Sequence, residues 1–127
     1  MATVMVVDDS KTVRSYHGSI LREFGIEVLE AENGMEALEK SLDNAVDLYL
    51  VDVNMPVMDG YSFVTELRRQ PACKLTPVIM ITTQEETTDK VEAFRVGANL
   101  FETKPIKPDA LKGYLQLLLN IRLKGDA

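Results

Sequence analysis

Leu48-Tyr49-Leu50-Val51-Asp52-Val53-Asn54-Met55-Pro56-Val57-Met58-Asp59-Gly60 runs from an unbroken apolar segment into a single acid, then into a loop punctuated by Pro56 and Gly60. A short apolar run without polar alternation reads as a strand buried on both faces, the kind found in parallel sheets covered by helices. Two other segments share the form. Thr3–Val7 is rich in β-branched residues and stops at Asp8-Asp9, while Pro77 opens Val78–Ile81, which stops at Thr82-Thr83.

Working outward, helical patterns fill the gaps. Ser10–Phe24 places Val13, Ile20, Leu21 and Phe24 at helical spacing, and Gly25 ends it. Ile26–Ala31 reads as a strand, Asn33-Gly34 as a turn, and Met35–Leu42 as a helix with Leu38 and Leu42 one turn apart. Helices are predicted at Tyr61–Arg69, with Phe63 and Leu67 on one face, at Glu86–Val96 before Gly97, and at Pro108–Leu123 after the break at Lys104-Pro105. Asn99–Thr103 is the last strand. Strands and helices thus alternate five times, which argues βαβ crossovers and an α/β doubly wound parallel sheet.

The composition fits one domain over residues 1–127. Lys and Arg number 14 against 20 Asp and Glu, for a net charge of −6, with 46% apolar and 27% charged residues. At pI 4.8 there is no basic footprint for nucleic acid. Apolar runs fall far short of the ~20 residues of a bilayer span, and the N-terminus lacks signal-peptide features, so a cytoplasmic protein without membrane insertion is expected. Cys73 reads as a loop thiol and His17 as a surface or rim residue of the first helix. One Cys and one His cannot furnish a closed zinc site.

In doubly wound sheets ligands bind beyond the carboxyl ends of the strands. Here those ends carry Asp8-Asp9, Asp52, Thr82-Thr83 and Lys104. Taken singly, each has a plain structural explanation: Asp9 or Ser10 as a helix N-cap, Asp52 and Asp59-Gly60 as turn residues, Lys104 as a surface lysine. Taken together, they form a rim of complementary groups. Converging carboxylates repel one another, and a hard divalent cation such as Mg²⁺ relieves this. A lysine and a hydroxyl opposite are what a phosphoryl group requires, and a carboxylate is the available nucleophile. The chemistry that follows is an aspartyl phosphate.

These features resemble the receiver domain of a two-component response regulator, of the single-domain chemotaxis type. The resemblance rests on Val6-Val7-Asp8-Asp9-Ser10, Ala31-Glu32-Asn33-Gly34-Met35-Glu36-Ala37-Leu38, Asp52-Val53-Asn54-Met55-Pro56-Val57-Met58-Asp59-Gly60, Val78-Ile79-Met80-Ile81-Thr82-Thr83, Gly97-Ala98 and Lys104-Pro105. It implies the flavodoxin-like strand order 2-1-3-4-5. It further implies that Asp52 is the phosphoacceptor for a histidine kinase and that Asp9, Asp52 and the Asn54 carbonyl ligate Mg²⁺, with Asp8 acting directly or through water. By the same resemblance Thr82 and Lys104 would hold the phosphoryl group, the Lys104–Pro105 peptide would be cis, and Phe101 would be the switch aromatic. Asn54 and Gln84 would tune the phosphate lifetime.

The expected output is a protein–protein contact on the face formed by the fourth helix, fifth strand and fifth helix, where Leu117 is expected to face outward. The domain would not be an enzyme beyond catalysing its own phosphorylation and dephosphorylation. Competing readings are an excised receiver of a longer regulator, a Mg²⁺-dependent aspartyl-phosphate phosphohydrolase and a flavin mononucleotide carrier. The phosphohydrolase would want an acid where Asn54 stands. The flavin carrier would want a phosphate-cradling loop where Asp8-Asp9 stands.

Overall fold

The computed structural model describes residues 2–83 and 90–123. In chain order it contains β1 (Thr3–Val7), α1 (Lys11–Glu23), β2 (Glu27–Ala31), α2 (Gly34–Asp43), β3 (Leu48–Asp52), α3 (Gly60–Arg69), β4 (Val78–Thr82), α4 (Lys90–Val96), β5 (Leu100–Thr103) and α5 (Pro108–Leu119), with a single 3₁₀ turn at Pro71–Cys73. The five strands form one parallel sheet in the order β2-β1-β3-β4-β5, as the doubly wound, flavodoxin-like reading requires.

Strand alternation sends each apolar run to both faces of the sheet. Met5, Val7, Tyr49, Val51, Val78 and Met80 pack with Phe63, Val64 and Leu67 of α3 and Ala93 of α4. Val4, Val6, Leu48, Leu50, Ile79 and Ile81 pack on the opposite face with Ile20 and Leu21 of α1 and Leu111 and Leu115 of α5. The central strands β3 and β4 are buried along their whole length, so their ends have fixed positions.

Side-chain caps set where several helices begin. Ser10 Oγ accepts the Val13 N–H, Asn33 Oδ1 accepts that of Glu36, and Asp59 Oδ1 accepts that of Ser62. Asn33 and Asp59 are therefore helix caps as well as turn residues, and α2 and α3 start at Gly34 and Gly60. The fourth helix, expected from Glu86, is described from Lys90. The largest boundary difference is at the C-terminus. The last helix stops at Leu119 because Asn120 takes the left-handed conformation (φ 52°), and Leu123 then turns back into the core beside α1 and α5. Leu117 faces outward as expected.

Candidate functional site

The carboxyl ends of β1, β3, β4 and β5 meet at one rim of the sheet. Asp8 and Asp52 are buried there while Asp9 is exposed, and one carboxylate oxygen from each lies within 4.8 Å of the others. Lys104 reaches in from the end of β5. Its ammonium stands 3.1 Å from Asp8 Oδ2 and 3.4 Å from Asp52 Oδ2, and its side chain is only 9% exposed. Thr82 is buried one residue beyond Ile81, the register partner of Asp52, and its carbonyl accepts the Lys104 N–H at 2.7 Å.

Asp8 is held through its side chain and through both of its main-chain polar groups. Its Oδ1 accepts the Ser10 N–H at 2.9 Å, its main-chain N–H donates to the Ala31 carbonyl, and its carbonyl accepts Arg14 Nη1 at 2.7 Å. Burial pushes the Asp8 carboxyl above its ordinary value, against the pull of the Ser10 N–H and the Lys104 ammonium. Burial alone would lower Lys104, but the Asp52 and Asp8 carboxylates outweigh it and hold the amine above the usual lysine value. The site thus stores up to three formal negative charges against one close ammonium. An all-oxygen, partly buried donor set of this kind suits a hard divalent cation, and among the described residues no histidine or cysteine joins the cluster.

The other residues singled out in the sequence fall around this centre. Asn54 is exposed, two residues past Asp52. Phe101 pairs across the sheet with Met80, is half-buried against the α3 side of the core, and lies 5.8 Å from the Lys90 ammonium. The Lys104–Pro105 peptide is cis. Gln84 lies outside the described residues. A groove of about 500 Å³ leads from Thr83 and Lys104 along α1 past Val13 and Tyr16.

Three residues escaped the sequence reading. His17 is fully buried, where a rim position was expected; its Nε2 accepts the Ile106 N–H at 3.2 Å. Arg14 is nearly buried and binds both the Asp8 carbonyl and Glu30. Both follow from one signal. Arg14, His17, Gly18 and Leu21 are spaced i, i+3, i+4, i+7, so the buried stripe of α1 runs through its polar residues rather than through Val13. Gly60 is the third. A Cβ there would sit 2.3 Å from the Asp52 carbonyl oxygen, so only glycine lets α3 begin this close to the end of β3.

Residues 4–116 match the family model described as the response regulator receiver domain. The chain belongs to that family. The receiver is 40% identical over 118 residues to the chemotaxis protein CheY1 of Helicobacter pylori, covering 91% of this chain and 95% of that one. It is 38% identical over 125 residues to the sensor histidine kinase CheAY of the same organism, covering 97% of this chain but only 15% of that much longer protein. Among solved structures, chemotaxis protein CheY4 of Vibrio cholerae superposes with a TM-score of 0.86 at 41% identity, covering 93% of the receiver and 98% of the other chain. As a two-component receiver with chemotaxis-type relatives, the chain has the family's acidic rim in Asp8, Asp9 and Asp52. None of its described helices is long and apolar enough to cross a membrane.

Proposed function

We propose that Asp52 is the phosphoacceptor of this receiver, taking its phosphoryl group from a histidine kinase. The observation that carries the reading is the Lys104 ammonium, at the end of β5, held between Asp8 and Asp52 at the ends of the buried strands β1 and β3. An Asp52 carboxylate oxygen attacks phosphorus as the P–N bond of the phosphohistidine breaks. The imidazole leaves with the electron pair and takes a proton from solvent, and the product is an acyl phosphate. Asp8, Asp9, Asp52 and the Asn54 carbonyl would hold Mg²⁺, which when bound neutralises charge on the phosphoryl oxygens.

Lys104 then exchanges a carboxylate partner for a phosphoryl oxygen, and the Thr82 hydroxyl donates to another. Hydrolysis returns the carboxylate and inorganic phosphate, at a rate that Asn54 and Gln84 tune. The inward move of Thr82 lets Phe101 follow, which biases the face built from α4, β5 and α5. That face presents Val91, Phe94 and Leu117, apolar and exposed, to a downstream protein. Residues 1–127 act here as one domain, in the cytoplasm, with no catalysis beyond the receiver's own phosphorylation and dephosphorylation. The small share of CheAY that the chain spans favours a second reading, in which the same chemistry serves one module of a longer protein.

Intact-mass spectrometry after incubation with acetyl phosphate tests the core of this reading. The expected result is one added phosphoryl group that requires both Mg²⁺ and Asp52, absent in Asp52→Asn. No addition to the wild type, or undiminished addition to Asp52→Asn, would overturn it.

A further inference from the structure

We infer that His17 is a positioning residue for Lys104, a role that rests on the phosphoacceptor reading above. The short segment after β5 delivers the ammonium to Asp8 and Asp52, and its backbone donors have just two destinations. Lys104 N–H goes to the Thr82 carbonyl, Pro105 has no N–H, and Ile106 N–H goes to His17 Nε2. The Ile106 carbonyl is taken up as well, by the Tyr16 hydroxyl at 3.3 Å. Two successive residues of α1 therefore clasp both polar groups of the Ile106 peptide, two residues beyond Lys104. The two rings meet edge to face, 5.1 Å between centroids and 78° between planes, so each steadies the other.

A packing role alone does not account for an imidazole here. Ile106 and His17 are both buried in surroundings that include Ile20, Leu21 and Leu111, where an aliphatic side chain would fill the same space. Accepting the Ile106 N–H requires a bare Nε2 and therefore a proton on Nδ1, which is turned toward the Val13 backbone one helical turn earlier. The ring is thereby fixed at both nitrogens between α1 and the segment that carries Lys104. Burial and the nearby Lys104 ammonium both lower its pKa, to about 4, which keeps the acceptor form at neutral pH.

Two measurements test the role. In a long-range ¹⁵N–¹H correlation spectrum at neutral pH, His17 should be the Nδ1–H tautomer with Nε2 unprotonated; an Nε2–H ring or an imidazolium overturns the inference. Phosphorylation rates from acetyl phosphate are then compared for His17→Leu, His17→Gln and Tyr16→Phe, each alone and with Lys104→Ala. Loss of the acceptor in His17→Leu should slow phosphorylation roughly tenfold, within the range expected when a reacting group is misplaced by a fraction of an ångström.

His17→Gln, which puts an oxygen where Nε2 was, should recover most of that rate. Neither substitution should matter once Lys104 is alanine. Equal slowing in both backgrounds, or a glutamine variant as slow as the leucine one, shows a general packing effect and overturns the role. Should His17→Leu not fold, Tyr16→Phe at its half-exposed position carries the same test, with a smaller slowing that also vanishes with Lys104→Ala. A wild type that takes no phosphoryl group refutes the phosphoacceptor reading and this one with it. The tautomer result separates that failure from a wrong assignment of the histidine contact.

Discussion

Replacing Gly60 by alanine perturbs the junction between the end of β3 and the start of α3. The added methyl would meet the Asp52 carbonyl oxygen at 2.3 Å, the Val53 Cα at 3.0 Å and the Met80 Cε at 3.0 Å. Met80 ends in a flexible thioether and can give way. The other two atoms are backbone and cannot, and the Gly60 N–H is itself bonded to the Val53 carbonyl at 2.8 Å. Close carbon–oxygen contacts sit near 3.3 Å, so about 1 Å must open between β3 and α3. Overpacking of this kind costs about 1–3 kcal/mol. The reduced freedom of the unfolded alanine chain returns about 0.4–1 kcal/mol. The expected net loss is about 1.3 kcal/mol, or about 0.7 M in urea midpoint at a slope near 2 kcal/mol/M.

Gly113→Ala is the internal control. That glycine lies in the middle of α5 with nothing within 4 Å of the new methyl, and alanine there should stabilise by about 0.5–1 kcal/mol. Urea unfolding followed by circular dichroism reads both variants. A Gly60→Ala midpoint at or above wild type would refute the steric argument, as would a Gly113→Ala loss of similar size.

Val57 holds a left-handed backbone at φ 68°, closed by a tight turn from Met58 N–H to the Pro56 carbonyl, although it is β-branched and exposed. Val57→Gly should therefore raise stability by about 1 kcal/mol in the same urea assay, since L-residues pay about 1–2 kcal/mol there. Arg14→Leu should lower stability by about 2 kcal/mol, because the Asp8 carbonyl loses a charged donor in a buried place. For His17, the unfolded ring protonates near 6.5 and the native ring near 4, so the unfolded state binds more protons between these values. Stability should fall as the pH drops from about 6.5 toward 4, by about 3 kcal/mol at most. Protonation of Asp8, whose carboxyl is raised by burial, favours the native state and offsets part of this loss. Thermal unfolding across this range should show the slope, and His17→Gln should flatten it. Mg²⁺ at about 100 times its dissociation constant should stabilise the protein by about 2.7 kcal/mol, an increment that chelation and Asp8→Asn both remove.

The sheet and the polar rim at its carboxyl edge were legible because both depend on short-range signals. Unbroken apolar runs such as Leu48–Val51 can be satisfied only in a doubly covered sheet, and the polar residues that end those runs necessarily share a rim. The helices were less legible. The surplus of leucines in the last helix concealed its stop, although Asn120 is a residue type that tolerates the left-handed backbone found there. His17 was misjudged and Arg14 passed over because helical phase was taken from apolar residues alone. In α1 two places on the inward stripe are filled by polar side chains whose partners, the Asp8 carbonyl and the Ile106 N–H, lie on other elements. Gly60 was read as a turn residue because its reason, the nearness of the Asp52 carbonyl, exists only once α3 has docked against β3.

These long-range contacts share one geometric consequence. The acid that anchors the site and the lysine that faces it come from opposite ends of the chain, yet both are held by the same helix. Arg14 grips the carbonyl of Asp8, while Tyr16 and His17 grip the peptide of Ile106, just past Lys104. The spacing between the Asp8 carboxylate and the Lys104 ammonium is therefore set by how α1 seats on the sheet, and less by the loops that carry the two residues. A rigid element with buried anchors holds such a distance better than an exposed loop does. It follows that substitutions at Arg14, Tyr16 and His17 should alter the rate of the phosphorylation proposed for Asp52 without touching that residue. Substitutions at outward positions that touch neither the Asp8 nor the Ile106 peptide, such as Ser15 and Ser19, should leave that rate unchanged.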